Sequence, residues 1–62
     1  MNTPKPYCVD YVTAGGYRSQ QWHHHRDIAE NAYNRFRNQG ADVRLYAYQG
    51  DKAELVKEAV NV

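Results

Sequence analysis

Three consecutive histidines, His23-His24-His25, are the first residues of this chain to invite chemistry, because imidazole is the commonest metal ligand at neutral pH. Their spacing argues against a metal centre. On an extended chain His23 and His25 share one face and His24 takes the other. No Cys, Asp or Glu stands at a recognised ligand spacing, and a helical His-x-x-x-His pair is absent. The three histidines read as strand-to-helix junction residues. A thiol beside an imidazole could supply a nucleophile and its base, and Cys8 with His23 is the candidate pair. On an open sheet face such a pair lacks an orienting third group and an oxyanion hole. No catalytic residue, metal site or cofactor is therefore expected.

What remains is the chemistry of recognition. Arg18, Arg26, Arg35, Arg37 and Arg44, with Tyr46 and Tyr48 close in sequence to the last, could hold phosphates and stack on bases. Tyr, Trp and Arg are equally the residues that dominate protein–protein hot spots. Charge favours the second reading: eight Lys and Arg against seven Asp and Glu leave a net +1, too little to draw the molecule to a polyanion. A protein partner is thus expected ahead of nucleic acid.

The chain has 62 residues, which makes one domain (1–62), and a domain of that size buries only about 60 % of the surface its unfolded chain exposes. A deep enzymatic pocket is not expected. The single cysteine, Cys8, excludes an internal disulfide and a multi-cysteine zinc site and fits a reducing compartment. No apolar run reaches signal-peptide or membrane-span length, so a soluble cytoplasmic protein without a membrane partner is expected.

The elements that must position these side chains read in order. Pro4 and Pro6 keep the start extended, and residues 1–5 are expected to form a loose arm. Tyr7 to Thr13 is a run of strand formers with Tyr7, Val9, Tyr11 and Thr13 on one face and Cys8, Asp10 and Val12 on the other. Ala14-Gly15-Gly16 is the strongest turn signal, followed by a second strand from Tyr17 to about His23. With Gly15-Gly16 as a two-residue loop, Val9 faces Trp22 and Trp22 joins the core face. A three-residue loop would flip that parity and put Trp22 outside. The shorter loop is preferred, since burying Trp22 stabilises more than burying Gln21.

The period then changes from two to 3.6. Ile28, Ala29, Ala32, Tyr33 and Phe36 form one stripe of an amphipathic helix, begun near His24, His25 or Asp27, with Arg35 and Arg37 in its last turn and Gly40 closing it. Val43, Leu45 and Ala47 alternate with Arg44, Tyr46 and Tyr48 in a third strand. After Gln49-Gly50, Asp51-Lys52-Ala53-Glu54 has a capping-box pattern, and Leu55, Val56, Ala59 and Val60 predict a short helix over 51–60.

These elements predict an α+β fold: a three-stranded β-β-α-β sheet over 7–48, of order 2-1-3, packed on one long helix, with a short C-terminal helix. Its uncovered face would carry Cys8, Asp10, Val12, Tyr17, Ser19, Gln21, His23, Arg44, Tyr46 and Tyr48. From these, Tyr17, His23, Arg44, Tyr46 and Tyr48 are the expected partner contacts. A homodimer through the C-terminal helix or an edge strand is a third reading of the half-apolar surface.

The order strand, turn, strand, helix, strand between Tyr7 and Tyr48 resembles that of small bacteriophage proteins that modulate host enzymes, inhibitors of host RNA polymerase among them. The likeness is one of size and architecture without a shared motif. This chain lacks the strongly acidic strip of such an inhibitor and adds Asp51 to Val62. The resemblance implies a compact, non-enzymatic, phage-encoded protein that binds a host protein or complex and inhibits it by steric occupation.

Overall fold

The computed structural model describes residues 5–60, and its first two strands, β1 (Tyr7–Val12) and β2 (Arg18–His23), meet at a loop of three residues, Ala14-Gly15-Gly16. The Gly16 N–H donates to the Thr13 carbonyl at 2.8 Å, and the Thr13 N–H donates to the Tyr17 carbonyl at 2.8 Å. Gly16, at φ +90°, takes the left-handed position that this loop demands, whereas a two-residue type I′ loop would need positive φ at both central residues. The Thr13 hydroxyl fixes the choice by accepting the Tyr17 N–H at 3.1 Å. The preferred two-residue loop is therefore overturned, and every residue of β2 changes face. Cys8 opposes Trp22, Val9 opposes Gln21 and Tyr7 opposes His23. Trp22 stands outside the core.

Helix α1 (Arg26–Asn38) follows at once, with His25 in extended conformation (φ −118°, ψ 140°) as its N-cap, Asp27 in the first turn, and Arg35 and Arg37 in the last. No side chain caps its start. Its end is closed fully. The Gly40 N–H donates to the Arg37 carbonyl and the Ala41 N–H to the Phe36 carbonyl, both at 3.1 Å, with Gly40 at φ +84°. A Cβ at Gly40 would meet nothing within 4 Å, so the whole effect of Gly40→Ala is backbone strain. That substitution should lower stability by about 1–2 kcal/mol in urea unfolding, and an unchanged midpoint would refute the closure.

Beyond α1 the structure departs from expectation. Strand β3 (Asp42–Gln49) is followed by a fourth strand, β4 (Lys52–Ala59), in place of the C-terminal helix over 51–60. Among the described residues the architecture is one antiparallel sheet of order β2-β1-β3-β4 with a single 13-residue helix, which replaces the predicted three-stranded sheet with two helices. Gly50, at φ +64°, supplies the left-handed residue of a Gly50-Asp51 hairpin turn. Docking as a strand also satisfies the backbone of the outer edge of β3, which a helix would leave open. A bulge at Val56 of β4 shifts the register, from Leu45 opposite Lys57 to Tyr46 opposite Leu55. Val56 and Ala59 consequently pack on the core side. The loose arm expected over 1–5 lies, except for an exposed Lys5, outside the described residues.

Helix α1 packs on the face carrying Val9, Val43 and Leu45, which are fully buried with Ala29 and cluster with the buried Tyr33. Tyr7, Tyr11, Ala32 and Phe36 surround them, and the Tyr11 and Phe36 rings stack at 3.9 Å. Ile28, expected in the buried stripe, is 47 % exposed. Glu30 ties the helix to its own first turn and to β4, accepting from Arg26 at 2.8 Å and from Lys57 at 3.3 Å. These bonds, that from Arg26 foremost, hold its carboxyl below the ordinary value of 4.5. Because the folded pKa is the lower one, the contribution is complete above pH 4.5 and is lost as pH falls through the folded value.

Candidate functional site: the open face of the sheet

The even-numbered residues of β1, β2 and β3 point away from α1. Cross-strand pairing sets Cys8 between Trp22 and Tyr46, Asp10 between Gln20 and Arg44, and Val12 between Arg18 and Asp42. Tyr46 lies beside Leu55, Tyr48 beside Ala53, and Arg44 beside Glu58. This face carries no second layer among the described residues.

One end of the face carries an aromatic pair that joins Tyr48, an expected contact, to Trp22, which was not one. The Trp22 and Tyr48 rings lie 5.1 Å apart, tilted by 51°, and bridge across β1 from two strands that are not hydrogen-bonded to each other. With Lys5, Pro6 and Gly50 they line a shallow cavity of about 210 Å³. Trp22 remains 40 % exposed. Leu55, 48 % exposed, extends the apolar strip on the far side of Tyr46.

Cys8 is only 1 % exposed although no helix covers its side of the sheet, because its neighbours across both strands are the large rings of Trp22 and Tyr46. Burial, and secondarily the charge of Asp10, pushes its thiol above the ordinary 9.0. The thiol is therefore protonated and shielded at neutral pH. Iodoacetamide should alkylate it many times more slowly than free cysteine at pH 8, and Trp22→Ala should accelerate the reaction by uncovering it. Equal rates in the two proteins would show that Trp22 does not form its lid.

Charge on this face is paired. The Arg18 guanidinium donates to Asp10 Oδ2 at 3.2 Å, and Arg44 Nε donates to Glu58 Oε2 at 2.6 Å. The Glu58 bond raises the pKa of Arg44 further. Asp10 is 9 % exposed, and its Oδ1 is buried without a hydrogen-bond partner among the described residues. Such an atom costs about 1–3 kcal/mol unless a donor arrives.

Arg44, Tyr46 and Tyr48 of the expected contacts stand together here. Tyr17 and His23 do not. Tyr17 sits at the hairpin tip, 67 % exposed, and its N–H is held by Thr13. His23 points to the helix side, opposite Tyr7 and 3.3 Å from the Gln21 side-chain oxygen. The expected Cys8–His23 neighbours thus lie on opposite faces. Trp22 and Arg18 were missed through the turn register, and Leu55 through its assignment to a helix. Among the described residues no cluster of three or more His, Cys, Asp or Glu could hold a metal, and no helix is long and apolar enough to cross a membrane. No protein-family model, curated protein or solved structure matches the chain.

Proposed function

We propose that the chain is a small non-enzymatic binding protein that sets the open face of its sheet against a partner protein and modulates that partner by steric occupation. The observation that carries this reading is the Trp22–Tyr48 pair, packed ring to ring at one end of the uncovered sheet face with Trp22 40 % exposed. Such an arrangement already meets the requirement for a hot spot, since its anchors lose little side-chain freedom on binding. Tyr46 and Leu55 widen the apolar patch, and the Arg18–Asp10 and Arg44–Glu58 pairs flank it. The bacteriophage resemblance adds a host enzyme or complex as the kind of partner.

The same aromatics could stack on bases, but both arginines of the face are engaged with carboxylates, and Asp42 adds a third acid beside them. A single strand would meet paired charge where it needs free cations. This favours a protein partner over nucleic acid.

The test is affinity capture from host lysate with the wild-type chain and with a Tyr46→Ala, Tyr48→Ala double variant whose circular dichroism matches it. The expected result is one set of partners with the wild type and their loss with the variant. Equal capture of the same partner by both would remove this face from the function. A mobility shift of a single-stranded oligonucleotide at low salt, weakening steeply as salt rises, would favour nucleic acid instead.

A further inference from the structure

We infer that β2 is a self-association edge, joining two copies of this chain in an antiparallel seam centred on Gln20. Both ends of the sheet are edges, but they differ. Strand β4 carries a bulge at Val56, and Lys52 and Lys57 along its length, devices that discourage another strand from adding. Strand β2 (Arg-Ser-Gln-Gln-Trp-His) has no bulge, proline or lysine, and no strand pairs with its outer edge among the described residues.

The hydrogen-bond parity of β2 then selects the register. The Thr13–Tyr17 pair is a hydrogen-bonded one, and pairing continues without a shift. The alternation of an antiparallel ladder therefore directs the backbone groups of Ser19, Gln21 and His23 toward β1, and those of Arg18, Gln20 and Trp22 outward. A two-fold seam that uses all three outward residues sets Gln20 against Gln20 of the second copy and Arg18 against its Trp22. About six backbone hydrogen bonds would close it. Because opposed residues share a face, the seam also matches face to face, and no side chain has to cross the sheet. On each side of the Gln20 pair a guanidinium meets an indole, a favourable cation–π neighbour. The two open faces become one continuous surface with a Trp22–Tyr48 pair in each half. This inference stands on the edge of β2 and does not depend on the proposed partner.

Sedimentation equilibrium of the full chain up to about 1 mM, where even a millimolar Kd registers, should show a monomer–dimer equilibrium. Hydrogen exchange should slow at the Arg18, Gln20 and Trp22 amides as concentration rises. Gln20→Pro removes an outward N–H and should raise the Kd at least tenfold. Should that variant fold poorly, Gln20→Lys keeps the N–H and opposes two ammonium groups on the two-fold axis, with the same expected weakening. A monomer at every concentration would overturn the inference. So would a dimer whose protected amides lie on β4, or one that a folded Gln20→Lys variant forms as tightly as wild type.

Discussion

Trp22→Ala is expected to weaken partner binding by about 2 kcal/mol or more, roughly thirtyfold, while the protein stays folded. The two effects separate because Trp22 lies on the side of the sheet away from α1. The helix-side core of Val9, Ala29, Tyr33, Val43 and Leu45 does not include it. Its ring packs instead with Tyr48, and Trp22 is the cross-strand neighbour of Cys8, so truncation removes a half-exposed anchor and opens the cavity it shares with Pro6 and Gly50. Titration calorimetry of the captured partner against wild type and variant measures the loss. Affinities within a factor of two, with matching circular dichroism, would mean that the anchor lies elsewhere.

Leu45→Ala should act in the opposite sense, on the fold before the surface. Leu45 is fully buried in the middle of β3, paired to Val9 on one side and Lys57 on the other, under α1. Truncating such a leucine costs about 2–5 kcal/mol. A domain of this length has a total stability of only about 3–9 kcal/mol. The variant should therefore be largely unfolded or sharply less stable in urea, and binding should fall only in proportion to the folded fraction. A urea midpoint close to wild type would mean that the sheet–helix interface is packed differently from the structure described above.

Both expectations rest on parity, and parity is where reading from residues alone reached its limit. The elements between Tyr7 and Gln49 were legible because their periods are clean: alternation in β1 and β3, a 3.6-residue stripe in α1, and Gly40 at the left-handed closing position. The face of β2 was not. Adjacent glycines suit a type I′ turn, yet only Gly16 has positive φ, and the deciding bond comes from the Thr13 hydroxyl, which composition does not announce. One loop residue moved Trp22 from the core side to the open face, and turned His23 away from Cys8.

The fourth strand was hidden by a different cause. Its bulge breaks the period of two, so Val56 and Ala59 both reach the core while Leu55 faces out. That spacing mimics one face of a helix. Asp51-Lys52-Ala53-Glu54 completed the disguise by matching a capping box, although Gly50-Asp51 is a hairpin turn. A lone edge on β3 was the available signal, since an unpaired strand beside an apolar core calls for a neighbour. Of the candidate contacts, Arg44, Tyr46 and Tyr48 were placed by a strand with unambiguous alternation. Tyr17 and His23 depended on the turn.

The uncovered sheet face, with Trp22 and Tyr48 at one end and Tyr46 beside them, is the surface proposed to meet the partner. This role can be tested before the partner is known, by placing the photoreactive residue p-benzoylphenylalanine either at Tyr46, on the open face, or at Asn34, on the exposed side of α1, and irradiating each protein in cell lysate. The proposed function predicts a discrete covalent adduct from position 46 and none from position 34. An adduct from position 34, with position 46 silent, would contradict it.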